Sequence, residues 1–134
     1  MPPADEKIGD LGLLQGSGNS TVKVRNLTRG TWLGDRVEIA RTSRERRRGL
    51  LGRQELPEGC GLWIAPCEGI HTFSMRFPID VIFLDRHRRV LSLRTELHPG
   101  RIAVCLRAHS VLELPAGTIG RSQTRVGDQL EFLD

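Results

Sequence analysis

The 134-residue chain is short of several kinds of residue, and each shortage excludes a class of protein. It has no Tyr and an aromatic share of only 4%, which leaves few rings on which nucleic-acid bases could stack. Its three cysteines cannot all pair with one another, so a disulfide framework is not expected. No apolar run approaches the ~18 residues of a membrane span, and no secretory signal pattern is visible. We therefore expect a soluble, cytoplasmic protein without a membrane partner.

Lysine is also scarce, whereas arginine is abundant. Only Lys7 and Lys23 among the 20 basic residues are lysines, and the formal net charge is +4. The arginines concentrate in two clusters, at 41–53 and at 86–94. Such clusters can bind phosphate or nucleic acid, although the small net charge and the few aromatic residues argue against nucleic acid. The simpler interpretation is a solvated basic surface.

The chain divides into a leader and a body. Residues 1–20 are rich in Pro and Gly and are expected to be flexible. Residues 21–134 are expected to form a single domain. Its short alternating segments, separated by turn residues, predict a mainly β fold (α+β by strict count): a small antiparallel, partly closed barrel-like or sandwich domain. The predicted strands are 22–27, 36–40, 62–65, 70–76, 79–84, 89–93, 102–106, 110–114 and 129–133, and the one or two short helices are 44–48, with Ser43 as its N-cap, and 116–122.

Two carboxylates interrupt the most apolar segments. Asp80 lies within residues 79–84, and Glu113 lies within residues 110–114. Because a buried carboxylate is costly unless it is paired, one interpretation is that Asp80 accepts backbone N–H bonds or pairs with Arg76. The other interpretation is that Asp80 and Glu113 converge with His71 to form an acid/base or cation site.

The segment at 70–76 adds further candidates. Its alternation predicts that His71, Phe73 and Met75 share one face. A lone His on an apolar face is more often structural than a ligand. The candidate ligand-binding residues of the whole chain are His71, Met75, Arg76, Asp80 and Glu113.

A weak metal hypothesis comes from the cysteines. Cys60, Cys67 and His71 offer ligands of the types that zinc prefers. Zinc ligands usually come in pairs two to four residues apart, and only Cys67 and His71 approach that spacing. Buried or surface thiols are the simpler interpretation, and we expect no cofactor.

The chain resembles a known family in several blocks that follow one another in order. These are RGLLGR at 48–53, GLWI at 61–64, IHTFSMRFPIDVIFLD at 70–85, VLELPAG at 111–117 and VGD at 126–128. Together they are similar to the bacterial and archaeal domain of unknown function 192. The resemblance implies a mostly β domain with one or two short helices, and no particular activity. Ser74 stands where the family often has Trp, which opens space beside Met75.

Three functions remain open from the sequence. The leading hypothesis is a small soluble binding or accessory domain, with a shallow site around residues 70–85 and an unknown small molecule or protein as partner. The first alternative is a metal-dependent or acid/base hydrolase that uses Asp80, Glu113 and His71. The second alternative is phosphate or nucleic-acid binding through the arginine clusters.

Overall fold

Nine strands and two short helices make up residues 20–134, the part of the chain that the computed structural model describes. The predicted leader lies outside the described residues, apart from Ser20. The strands are β1 (Thr21–Asn26), β2 (Thr31–Ala40), β3 (Cys60–Ile64), β4 (Gly69–His71), β5 (Ile79–Leu84), β6 (Val90–Leu97), β7 (Ile102–Val104), β8 (Ser110–Pro115) and β9 (Leu130–Leu133). The helices are α1 (Ser43–Arg48) and α2 (Thr118–Ser122). Within the described range no helix has the length and apolar character needed to cross a bilayer.

Seven of the strands form one curled sheet in the order β6-β5-β8-β3-β2-β1-β9, while β4 and β7 form a separate antiparallel pair. Neighbouring strands in the large sheet are antiparallel except β2 and β3, which run parallel. A bridge between Arg89 and Gln129 joins the two edges of the sheet at one end. The prediction of a mainly β, partly closed domain with short helices is therefore confirmed.

The large sheet carries a hydrophobic core on each face, and this explains why every residue of β5 is buried. Neighbouring residues of a strand point to opposite faces, so β5 supplies both cores. The first core, which includes Ile119 of α2, contains Val24, Trp63, Ile82, Leu84, Leu112, Leu114 and Phe132. The second core, which includes Leu50 after α1 and Ala103 of β7, contains Leu62, Ile64, Met75, Ile79, Val81, Phe83 and Val111.

Helix α1 is fixed at both ends by local hydrogen bonds. Thr42, rather than the predicted Ser43, is the N-cap: its side chain accepts a bond of 3.0 Å from the N–H of Glu45. The Glu45 carboxylate in turn accepts a 2.9 Å bond from the N–H of Thr42, which completes a capping box. Gly49 ends the helix with a φ of 54°, a left-handed value that favours glycine.

The predicted strand at 70–76 is wrong beyond His71. The hydroxyl of Thr72 donates to the carbonyl of His98 at 2.7 Å and accepts from the N–H of Arg101 at 2.8 Å. Ser74 then adopts a φ of 67°, which a strand does not permit. A polar side chain bonded to a distant loop therefore ends the strand, although the apolar alternation continues in the sequence.

Candidate functional site

A cleft of about 460 Å³ lies between α1 and β4. Helix α1 and the residues after it form one wall, β4 forms part of another, and β8 contributes Glu113. The lining combines three arginines of α1 with apolar side chains. It includes Arg46, Arg47, Arg48, Leu50, Leu51, Ile64, Ile70, His71, Met75 and Glu113.

Glu113 is the unusual group of this cleft. Glu113 is only 3% exposed, and its Oε1 atom has no hydrogen-bond partner within residues 20–134. Burial raises the pKa of Glu113 to about 7, against a smaller lowering by the charge of Arg53. A carboxyl with this pKa exists in both protonation states near neutral pH. The protonated carboxyl can donate a hydrogen bond, whereas the ionised carboxylate can only accept one.

Asp80 lies on the opposite face of the sheet. In the pairing of β5 with β8, Asp80 is opposite Leu114, whereas Glu113 is opposite Val81. Because successive residues of a strand face opposite sides, the two carboxylates point into different cores. The convergence of Asp80 and Glu113, which the sequence left open as one interpretation, does not occur in the structure, and the acid/base or cation site that required both is therefore excluded.

Backbone N–H groups donate hydrogen bonds to both carboxylate oxygens of Asp80, and these bonds explain how the carboxylate can be buried. Its Oδ1 accepts a 2.8 Å bond from the N–H of Glu96, and its Oδ2 accepts bonds of 3.1 and 2.8 Å from the N–H groups of Gly117 and Ile119. Of the two structural interpretations, backbone bonding holds in the structure, while Arg76 is exposed. Asp80 thus ties β6 and the start of α2 to β5.

The other predicted residues fall partly inside the cleft. His71 is exposed at the cleft, where its ring stacks on Phe73 with 5.1 Å between centroids, and its Nδ1 accepts a 3.3 Å bond from the N–H of Phe73. Met75 is buried, lines the cleft and packs in the second core. The predicted strand face of His71, Phe73 and Met75 does not exist, because the strand ends at His71 and Ser74 breaks the alternation. Arg76 and Asp80 lie outside the lining.

The structure gives no support to the zinc hypothesis. Among residues 20–134, no group of three or more His, Cys, Asp or Glu side chains is arranged to hold a metal ion. Cys60 and Cys67 are free thiols. The Cys67 thiol donates to the carbonyl of Gly69 at 3.1 Å, and burial raises its pKa, which disfavours the thiolate that a metal requires.

The arginines of α1 belong to the cluster at 41–53, which the sequence offers either as a phosphate-binding surface or as a solvated basic surface. Charge runs on short helices are usually solvated, and the sequence does not indicate which arginines of 41–53 face a cleft. In the structure Arg46, Arg47 and Arg48 line the cleft, whereas Arg53 forms a bidentate pair with Glu38 at 2.9 and 3.1 Å. Only the packing of α1 against the sheet distinguishes these two roles. The family-like block at 48–53 was the available sequence signal for this region.

Several arginines of the second cluster serve the fold. The Arg88 guanidinium lies 4.8 Å from the ring centroid of Trp63 and 5.2 Å from that of Phe132. Arg94 donates to the carbonyl of Leu93 at 2.9 Å. These contacts occupy two of the charges that the sequence offered for phosphate binding.

A third buried carboxylate, Asp128, is held by several donors. Its oxygens accept bonds from Arg29 at 2.9 and 3.1 Å, from Asn26 at 2.9 Å and from the N–H of Arg125 at 2.9 Å. Burial alone would raise the pKa of Asp128, but the bonds from Arg29, Asn26 and Arg125 together lower it. Asp128 therefore joins the β1–β2 turn to the segment before β9.

Comparison with known proteins gives one family and one fold. Residues 24–132 match the sequence profile of domain of unknown function 192, described as an uncharacterized ACR. A UPF0127 protein of the archaeon Thermococcus sibiricus is 36% identical over 114 residues, covering 80% of this chain and 72% of that protein. One from Pyrococcus furiosus is 34% identical over 113 residues, covering 80% and 95%.

Two solved structures share the fold. A protein of unknown function from Novosphingobium aromaticivorans matches with a TM-score of 0.72 and 24% identity, over 87% of this chain and 94% of that chain. A protein from Sinorhizobium meliloti matches with a TM-score of 0.73 and 23% identity, over 86% and 98%. At these identities the two structures establish the architecture alone.

Proposed function

We propose that this chain, which belongs to the domain of unknown function 192 family, is a small binding domain whose ligand is an organic anion held between α1 and β4. The observation that supports this most strongly is the lining of that cleft, where Arg46, Arg47 and Arg48 lie beside apolar side chains. Glu113 also lines the cleft; it is 3% exposed, and its Oε1 atom is buried without a partner within residues 20–134. A buried polar atom left without a partner is costly. Protonation of Glu113, which its raised pKa favours, lowers that cost and removes a negative charge that would repel an anion.

The cleft suits a ligand with two parts. Arg47 and Arg48 offer guanidinium groups, which bind carboxylate or phosphate through paired hydrogen bonds, while Arg46 adds positive charge and donates to the carbonyl of Arg41 and the hydroxyl of Ser43 at 3.1 Å each. Ile70 and Met75 offer apolar surface for the rest of the molecule. The volume of about 460 Å³ falls within the ~300–1,000 Å³ typical of small-molecule sites. An anion with an apolar body therefore matches the lining.

This proposal narrows the shallow site that the sequence predicted around residues 70–85. His71, Met75 and Glu113 remain candidate ligand-binding residues because they line the cleft. Arg76 and Asp80 are no longer proposed. The arginines of α1 replace them.

The test compares matched probes by NMR titration of the labelled protein. Hexanoate and hexyl phosphate carry an anion on an apolar chain, and hexylamine carries a cation on the same chain. We expect the two anions to shift the amide signals of Arg47, Gly49 and His71, and hexylamine to leave them in place. Equal shifts by hexylamine would contradict an anion site.

A pair of charge reversals provides the control. Arg44 and Arg47 are both exposed residues of α1, but only Arg47 lines the cleft. We expect Arg47→Glu to weaken hexanoate binding by about tenfold and Arg44→Glu to change it by less than about twofold. Similar losses in both variants would indicate a diffuse field of positive charge and no defined site.

Acid/base catalysis is a second candidate function, and one observation favours it. The pKa of Glu113, about 7, is the value that a general acid or base needs near neutral pH, and His71 lines the same cleft. Hydrolysis of p-nitrophenyl acetate and p-nitrophenyl phosphate, followed from pH 5 to 9, tests it. Catalysis predicts an inflection near pH 7 that Glu113→Gln removes. Rates equal to those of buffer would eliminate this candidate for both substrates.

A further inference from the structure

Strand β4 has one bonded edge and one edge directed away from its partner. Hydrogen bonds of 2.8 Å join Glu68 and Thr72, on either side of β4, to the residues that flank β7. In an antiparallel ladder the bonded positions alternate with positions whose backbone groups point the other way. Gly69 and His71 occupy those alternate positions. Their N–H and C=O groups are therefore directed to the edge that β7 does not cover.

That edge lies at the cleft. Gly69, Ile70 and His71 all line it, together with the arginines of α1. The Cys67 thiol donates to the carbonyl of Gly69, which leaves the N–H of Gly69 and both backbone groups of His71 directed outward. The spacing of these groups along one strand matches the backbone of an extended peptide, because consecutive donors and acceptors repeat every two residues.

The charges of the cleft select the kind of peptide. Arg47 and Arg48 suit a carboxylate, and a peptide with an unmodified C-terminus carries one there. In a strand added to β4, alternate side chains point to opposite sides. One set of them would be directed toward the cleft, which Ile70, Met75 and Glu113 also line.

We infer that the organic anion bound by this domain is the C-terminal segment of a peptide, which adds to β4 as a short extra strand and places its carboxylate among the arginines of α1. This inference rests on the proposed function. The inference adds that the peptide is recognised through its backbone as well as through its charge. Strand addition of this type provides affinity through main-chain bonds and specificity through alternate side chains.

Three pools of random synthetic five-residue peptides test the inference on the immobilised full chain. The first pool has free C-terminal carboxylates, the second has C-terminal amides, and the third has free carboxylates but N-methyl groups on alternate backbone nitrogens. N-methylation removes the donors of a strand and keeps the terminal charge. Retained peptides are measured by mass spectrometry on wild type, on Arg47→Glu and on the control Arg44→Glu.

The expected result is that wild type and Arg44→Glu retain about tenfold more of the first pool than Arg47→Glu does. The amide and N-methyl pools should fall to the level of Arg47→Glu. Equal retention of the N-methyl pool, or no retention of any pool, would overturn strand addition. If hexanoate still shifts the cleft amides in that case, the proposed anion site stands. If hexanoate also fails, both proposals fail.

Discussion

Asp80 and Glu113 are two buried carboxylates on neighbouring strands, and their surroundings differ completely. Asp80 is 1% exposed and Glu113 is 3% exposed, so burial does not distinguish them. Asp80 accepts three backbone N–H bonds, whereas the Oε1 atom of Glu113 has no partner within residues 20–134. Buried polar groups in native proteins are normally bonded. The bonded carboxylate therefore serves the fold, and the unbonded one is the candidate for function.

The largest expected effect comes from removing the bonded carboxylate. Asp80→Ala leaves the N–H groups of Glu96, Gly117 and Ile119 without their acceptor, and we expect it to cost about 3–5 kcal/mol of unfolding free energy. Urea unfolding measures this loss. The exposed Asp35→Ala, as a control, should change stability by less than about 0.5 kcal/mol. A loss below about 1 kcal/mol in Asp80→Ala would show that the comparison of the two carboxylates is mistaken.

Replacing Glu113, the carboxyl without a bond to Oε1, should raise the free energy of unfolding above neutral pH, whereas Asp80→Ala lowers it. The pKa of Glu113 is raised from 4.5 to about 7, so between these values the folded state holds a proton that the unfolded state has lost. Stability therefore falls as pH rises through this window, by about 3 kcal/mol in all. Glu113→Gln removes that dependence and should be more stable than wild type at pH 8.

Urea unfolding of both proteins between pH 5 and pH 8 measures this difference. Parallel stability curves for wild type and Glu113→Gln would mean that the carboxyl of Glu113 titrates normally. Glu113→Gln also sharpens the ligand experiments, because it keeps the shape of the side chain and removes its charge.

Asp128 provides the reverse pH dependence within the same molecule. Its pKa is lowered, so the stability that it contributes is present above its ordinary pKa and is lost as pH falls through the lowered value. We expect Asp128→Asn to cost about 2 kcal/mol at pH 7 and to reduce the acid sensitivity of unfolding. Thermal unfolding between pH 2 and pH 7 checks both effects. An unchanged acid transition in Asp128→Asn would contradict the assigned bonds.

The smallest expected effect concerns the wall of the cleft. Thr42→Ala removes the N-cap of α1 and should cost about 1 kcal/mol, while Thr42→Ser should cost less because it keeps the hydroxyl. Hydrogen exchange should accelerate in residues 45–49 in Thr42→Ala and stay unchanged at Gly117 and Ile119, which bond to Asp80. Faster exchange at Gly117 and Ile119 as well would mean that the two faces of the sheet are coupled.

The sequence was informative wherever a local pattern determines the structure. The apolar residues around Asp80 predicted the buried strand β5, and the alternation at 89–93 predicted the first half of β6. The carboxylates in apolar strands were recognised as anomalies because burial of charge is costly in any fold. These predictions required only the chemistry of neighbouring residues.

The features that could not be predicted depend on contacts between residues that are distant in the sequence. The separation of Asp80 from Glu113 depends on the register between β5 and β8, which no single segment encodes. Strand β4 ends where Thr72 bonds to His98 and Arg101, which follow β6 in the sequence. The role of the arginines depends on where α1 lies, and a short helix of six residues carries too little apolar pattern to predict that.

The parallel neighbours β2 and β3 have a consequence for how this domain can diversify. Parallel strands require a crossover connection, and here that connection carries α1. Every residue of α1 is at least partly exposed, so its composition is free of the packing constraints that govern the two cores. The helix can therefore exchange its arginines for other side chains while the sheet keeps its structure. The proposed anion site thus has its arginines on a segment whose composition can vary without disturbing either core.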